Sequence, residues 1–197
     1  MTCSAAKEQQ LEQARRHVFL ALLIAVAISI HTVESLLPTP LPWLRLGLAN
    51  SVAVVALYLY GPRAAWSVNL ARVGLGALLL GRLFSPGFWL ALAGCLVATS
   101  LMVGLHRRFP DWLTPIGVSV AGAAGHAFGQ LLAARLLLVS HDAIWQVLPA
   151  LLMFSLGAGI VTGWVALRVL REIRRHPLFR QLSKAEADDQ TGEQALQ

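Results

Sequence analysis

Charged residues, and acidic ones above all, are scarce in this sequence. Asp and Glu together number 10 and Lys and Arg 16 among 197 residues, whereas 56% of the residues are hydrophobic. Such a chain has too little polar surface to cover a water-soluble globule of this length. The composition therefore excludes an ordinary soluble domain and predicts a protein whose main solvent is lipid.

Cysteine and the common catalytic motifs are also missing or rare. Cys3 and Cys95 are the only cysteines, which excludes a disulfide framework and a zinc site of spaced Cys and His ligands. The chain has no Gly-rich phosphate loop with lysine, no Gly-x-Ser-x-Gly elbow and no His-Glu-x-x-His. It also lacks an aspartate cluster that would hold magnesium on a diphosphate. We therefore expect no cofactor, no metal site and no catalysis by this chain alone.

Six apolar runs, separated by Pro, Gly or Arg, predict an all-α, polytopic membrane bundle of about six transmembrane helices. The runs are 17–37, 46–61, 64–81, 86–105, 115–139 and 144–170. The second and third runs are short and interrupted, so five spans remain an alternative. We divide the chain into an N-terminal segment 1–16, a transmembrane domain 17–170 and a basic, then disordered, tail 171–197.

The basic residues predict the orientation of the bundle. With six spans, twelve Lys and Arg residues lie on the side of the termini, and two, Arg45 and Arg82, lie on the other. Positive residues favour the cytoplasmic side, so we predict a multi-pass protein of the bacterial inner membrane with both termini in the cytoplasm. The same distribution leaves no basic stripe with interleaved aromatics, so nucleic acid is not an expected partner, whereas membrane lipid is.

Polar side chains inside the apolar runs are the candidate site, because an ionisable group at the bilayer centre costs about 2.5–3.5 kcal/mol on insertion scales. If the helices bundle, these residues converge on a site reached from outside. The predicted substrate-binding residues are His31, Glu34, Arg45, Asn50, Asn69, Arg72, Arg82, His126 and Gln130. Arginines, with Arg135 further out, outnumber the acids in this region, so we predict a small anionic ligand held by guanidinium groups.

Structural roles are the alternative for each of these residues. Glu34 and Arg72 would neutralise one another as a pair, Arg135 would snorkel to the outer headgroups, and Asn69 and His126 would bridge helices. A membrane scaffold without a ligand predicts that replacing Arg72 or Glu34 harms folding and abolishes no binding.

Small residues four positions apart allow close approach of helix backbones. For Gly125/Gly129 and Gly159/Gly163 we expect packing within this chain. Ala21 and Ala25 differ, since they lie in the cytoplasmic half of the first run, away from the predicted ligand site.

Several segments resemble a known family. They are 36–38, 42–50 (PWLRLGLAN), 57–62 (LYLYGP), 69–76 (NLARVGLG), 85–88 (SPGF) and 120–130 (VAGAAGHAFGQ). Together they are similar to the Gx transporter family, which is also labelled heptaprenyl diphosphate synthase component I. The resemblance extends from about Ala21 to Leu170. More distantly, the family resembles the substrate-capture components of energy-coupling factor transporters.

The wider resemblance implies a six-helix protein that captures a small-molecule substrate from outside. It implies that Ala21 and Ala25 dock the coupling subunit of an ATP-driven energising module. The family label implies a different partner, a prenyl synthase subunit, which a non-catalytic membrane protein would hold at the membrane through the Arg-rich segment 168–180. Contact of that segment with anionic lipid is the simpler interpretation.

Overall fold

Six α-helices and one short 3-10 helix form the described part of the chain. A computed structural model describes residues 3–36, 47–110, 112–139 and 141–175, and within these ranges there is no strand. The helices are α1 (Cys3–Leu36), α2 (Leu48–Tyr60), α3 (Pro62–Leu79), α4 (Pro86–Arg108), α5 (Pro115–Leu137) and α6 (Leu148–Arg175), with the 3-10 helix at Asp142–Val147. The predicted all-α helical bundle is confirmed.

Helix starts follow from local sequence. Pro86 and Pro115 stand in the first turns of α4 and α5, where the missing N–H has no helical partner to lose. The residues before them, Ser85 and Thr114, accept hydrogen bonds from backbone N–H groups of those first turns through their side-chain hydroxyls. These caps explain why two helices begin where the predicted runs begin.

Four helical segments are long and apolar enough to cross a membrane. They are Gln13–Ser35, Pro86–Arg108, Pro115–Leu137 and Ala143–Arg175. The helix α2 has only 13 residues, about 20 Å at 1.5 Å per residue, against a hydrocarbon core of about 30 Å. The helix α3 has 18 residues and carries two arginines, Arg63 and Arg72. The short, interrupted second and third runs therefore correspond to α2 and α3, the two helices that length and composition alone do not identify as membrane-crossing.

Two hydrogen bonds show how deep α2 reaches. The Tyr58 hydroxyl donates to the carbonyl of Leu113, in the connection between α4 and α5, at 2.7 Å. The Arg16 guanidinium donates to the carbonyl of Tyr60 at 3.2 Å and lies over the Tyr60 ring. The turn between α2 and α3 therefore sits level with Arg16, at the end of the bundle that we call the basic end. The start of α2 is consequently recessed at the opposite end.

Glycines bring α5 against both of its main neighbours. A Cβ added to Gly129 would lie 2.8 Å from the Ala93 carbonyl on α4. A Cβ on Gly159 or Gly163 would lie 2.7 or 2.6 Å from a backbone Cα of α5. Since real side chains do not approach that closely, these small residues pack helices within the chain, as predicted.

Both ends of the helical region extend beyond the predicted runs. The first helix begins at Cys3, because residues 3–16 are rich in good helix formers such as Ala, Gln, Glu and Arg. The last helix continues to Arg175, and Arg174 and Arg175 lie at its carboxyl end, where the helix dipole favours cations. The predicted disordered segment 184–197 lies outside the described residues.

Candidate binding site

A cavity of about 90 Å³ opens between the helices where α2 begins. It brings together side chains from α1, α2, α3 and α5 that are far apart in sequence. Six of the nine predicted substrate-binding residues line it, namely His31, Glu34, Asn50, Arg72, His126 and Gln130. The convergence of intramembrane polar residues is therefore present for these six.

Glu34 lies at the amino terminus of α2. Its carboxylate oxygen Oε1 accepts a hydrogen bond from the backbone N–H of Leu48 at 2.7 Å, and the side chain is only 8% exposed. Gly47 precedes the helix with φ 69°, a left-handed conformation that glycine adopts at no steric cost. The first N–H groups of a helix carry partial positive charge, so this position partly compensates the buried carboxylate.

Arg72 is the buried cation of the cavity. It is 6% exposed, and its Nε has no hydrogen-bond partner among the described residues. In the same part of the chain no carboxylate, Glu34 included, forms an ion pair with it. The undescribed segment 37–46 contains no acidic residue. The alternative of a structural Glu34–Arg72 pair is therefore not what the structure contains.

Two glycines leave room for the histidines of the cavity. A Cβ on Gly76 of α3 would lie 2.7 Å from Cδ2 of His31. A Cβ on Gly94 of α4 would lie 2.9 Å from the His126 ring and 2.8 Å from Cγ of Gln130. Any larger residue at either glycine would push these rings and amides out of place.

The helix α6 supplies a wall that sequence reasoning missed. Phe154, Ser155 and Thr162 line the cavity, and the Thr162 hydroxyl forms a 2.8 Å hydrogen bond with the Ser119 hydroxyl of α5. Ser155 and Thr162 are seven residues apart, two helical turns, so a polar face on the sixth run could have indicated them. Gly76 and Gly94 left no such signal, because their role depends on side chains of other helices.

A smaller cavity of about 40 Å³ lies next to the first. It shares three wall residues with the larger cavity, namely His31, Val73 and Ala91, and extends to Leu80 and Phe88 at the α3–α4 turn. His31 therefore stands between the two cavities.

Two of the predicted site residues in the described part of the chain, Asn69 and Arg82, are not among the cavity walls. Asn69 is fully buried and donates from Nδ2 to the Thr99 hydroxyl of α4 at 2.8 Å, which is the helix-bridging alternative. Arg82 is exposed in the turn after α3. Arg45 lies outside the described residues. Arg135, further along α5, also does not line the cavity, and of the described arginines only Arg72 does.

Ala21 and Ala25, the predicted docking residues, are both exposed on α1. Their neighbours Val18 and Leu22 are exposed as well. This face of α1 is thus open to lipid or to another membrane protein.

The sequence model of one family, described as heptaprenyl diphosphate synthase component I, matches residues 23–169. This chain belongs to that family. No curated protein and no solved structure matches the chain. Every wall residue of the 90 Å³ cavity, from His31 to Thr162, lies within the part that the component I family covers.

The description of the component I family concerns one component of a synthase. In the described part of this component I chain, no group of three or more His, Cys, Asp and Glu side chains is placed to hold a metal ion. The described walls of the cavity carry one guanidinium, one carboxylate, two imidazoles, two carboxamides and the hydroxyls of Ser155 and Thr162 among apolar side chains. Such a set has the chemistry to bind and orient a small polar molecule.

Proposed function

We propose that this protein is a membrane-embedded binding protein that captures a small molecule with an anionic group from the outer side of the membrane. The single observation that supports this most is Arg72. Arg72 is buried and forms no ion pair with any described residue, which is costly in a membrane, and a bound carboxylate or phosphate would supply the missing charge and accept its hydrogen bonds.

The position of the cavity supports capture from the side opposite the basic end. Because α2 is short and its start is recessed, the cavity lies toward the end of the bundle where α1 and α3 finish. With the basic end in the cytoplasm, that end faces outward. This arrangement is the one expected of a substrate-capture component, and the exposed Ala21 and Ala25 would then contact a coupling subunit of an energising module.

The family description favours a second candidate, a non-catalytic membrane subunit that works with a prenyl diphosphate synthase. Arg72 would also suit a diphosphate group, so the two candidates share the chemistry of the site. They differ in what accompanies the protein: an energising module in the first case and a soluble synthase in the second.

Native mass spectrometry of the protein extracted from its own membrane tests both candidates. We expect a retained small molecule with a carboxylate or phosphate in the wild type and in Arg82→Gln, and none in Arg72→Gln. Arg82 is the matched control, since it is an exposed arginine outside the cavity.

One result would contradict the assignment of Arg72, and another would decide against capture. Retention of the same molecule in Arg72→Gln would show that Arg72 does not hold the ligand. A prenyl synthase that co-purifies in fixed ratio, without any small molecule, would favour the accessory subunit.

A further inference from the structure

The described walls of the larger cavity carry one buried negative charge as well as one buried positive charge. Glu34 is 8% exposed and Arg72 is 6% exposed, and both line the same space. They come from different helices, α1 and α3, and form no ion pair with each other. The described walls therefore carry opposite charges in equal number, but these charges do not pair with each other.

Among the described residues, the surroundings of Glu34 compensate its charge only in part. A carboxylate has about four acceptor positions. One oxygen of Glu34 accepts the Leu48 N–H, and no further hydrogen bond to this side chain is found among the described residues. The amino terminus of α2 contributes about half of a positive charge. The described residues therefore leave acceptor positions on Glu34 for a donor that enters the cavity.

A purely anionic ligand would fit this cavity poorly. In a medium of low dielectric constant, the attraction of an anion to Arg72 would be opposed by repulsion from Glu34, since both side chains line the same cavity. A ligand with a negative group near Arg72 and a positive group near Glu34 would be attracted by both side chains. Neither buried charge would then lack an opposite charge.

We propose that the ligand is a zwitterion, with a carboxylate or phosphate facing Arg72 and an ammonium or similar cationic donor facing Glu34. This inference rests on the proposed binding function. It assigns Glu34 a role in ligand recognition in addition to its contact with Leu48. Amino acids and other small molecules with separated opposite charges form the substrate class.

The test uses purified full-length protein in lipid nanodiscs and ligand-observed NMR. The probes are straight-chain ω-amino acids from glycine to 6-aminohexanoate, the carboxylic acids of the same length without the amino group, and the amines of the same length without the carboxylate. We expect at least one amino acid to bind about tenfold more tightly than either of its truncated counterparts, as removal of a charge-assisted hydrogen bond predicts.

Two variants assign the charges. Glu34→Gln keeps an oxygen for the Leu48 N–H but removes the negative charge, so the advantage of the amino acid over the plain carboxylic acid should disappear. Arg72→Gln should abolish binding of both carboxylate series. Glu172→Gln, an exposed acidic position near the end of α6, is the matched control and should behave as the wild type.

Each other result has a definite meaning. Carboxylic acids that bind as tightly as the amino acids would overturn the zwitterion and leave the anion-binding function standing. An equal loss of affinity for both series in Glu34→Gln would make Glu34 a positioning residue and also overturn the inference. Binding of amines that does not depend on Arg72, or no binding in any series, would count against the proposed function itself.

Discussion

Asn69 and Arg72 lie one helical turn apart on α3, yet the structure gives them different surroundings. Asn69 is enclosed and bonded to Thr99 on α4, whereas Arg72 borders the cavity beside the buried Cys95 thiol. Thr99 in turn donates to the carbonyl of Cys95 at 2.8 Å. The Asn69–Thr99 pair therefore joins α3 to α4, and Arg72 lies one turn further along α3, at the cavity.

The Asn69–Thr99 contact predicts a stability effect without a binding effect. Thr99→Val keeps the shape of the side chain but leaves the Asn69 amide without its acceptor in the core. We expect the free energy of unfolding to fall by about 1 kcal/mol, near the middle of the range for interhelical hydrogen bonds in membranes. Unfolding in mixed micelles measures the loss, and ligand titration should give an unchanged affinity.

Ser100 provides the control for that measurement. It is exposed and bonds only to the carbonyl of Leu96 on its own helix, so Ser100→Ala should change stability little. A Thr99→Val protein that is fully stable, or one that has lost its affinity for ligand, would contradict a purely structural role for Asn69.

Polar residues inside apolar runs stand out in the sequence because their burial in a membrane is costly. This criterion predicted His31, Glu34 and Arg72, which line the cavity. It also predicted Asn69 and Arg82, because hydropathy alone does not distinguish a side chain that bonds to a neighbouring helix from one that faces a cavity. It did not predict Ser155 and Thr162, because hydroxyl side chains are common in membrane helices and carry no charge whose burial would be costly.

At the level of helices, the glycines of α6 allow a sharp test of packing. A Cβ at Gly163 would stand 2.6 Å from the Ile116 Cα and 3.0 Å from the Ser119 Cβ. Since backbone atoms cannot move aside cheaply, Gly163→Ala should separate α5 from α6 and lower the free energy of unfolding by about 1–3 kcal/mol. Thermal unfolding of the detergent-purified protein measures this change.

Gly157 on the same helix is the matched control. No atom lies within 4 Å of a Cβ at that position, so Gly157→Ala should be neutral or slightly stabilising, as alanine favours the helix over glycine. Equal destabilisation by both substitutions would show that helix propensity, and not the α5–α6 contact, sets the effect.

The helix α4 offers a similar pair for the cavity itself. Gly94→Ala would place a methyl group against His126 and Gln130, whose flexible ends can move, so stability should change less than affinity. We expect a ligand affinity about tenfold lower, which corresponds to about 1.4 kcal/mol. Gly104→Ala, where a Cβ meets nothing within 4 Å, should bind as the wild type does.

A Gly94→Ala protein with unchanged affinity would place the ligand away from α5.

The predicted runs identified α4 and α5 well, because both helices are long and apolar and each begins with a proline that follows a capping residue. They could not identify Gly94 as part of the site, since the contact with His126 exists only after α4 and α5 pack.

For the whole molecule, the depth of α2 explains why length and composition alone give four membrane-crossing helices while the bundle contains six. The missing length of α2 lies at the end that holds the cavity, since its other end meets Arg16 and Leu113. The cavity lies where α2 begins, and its described walls come from α2 and from the five other α-helices. Hydropathy could predict the run but not this recess, because a buried helix and a fully spanning one have similar composition.

The orientation that places the cavity outside gives the last prediction. Trp112, between α4 and α5, is 90% exposed at the basic end, and Phe84, between α3 and α4, is 69% exposed at the opposite end. In a Cys3→Ser background, where Cys95 is buried, Trp112→Cys and Phe84→Cys introduce one accessible thiol each. In intact cells a membrane-impermeant maleimide should label the Phe84→Cys protein only, whereas after lysis it should label both. Labelling of Trp112→Cys in intact cells would show the opposite orientation, in which the basic end faces outward and the cavity opens to the cytoplasm.

In that orientation, a synthase that delivers the ligand from inside the cell would fit the site better than capture from outside. The same measurement therefore distinguishes the two proposed functions.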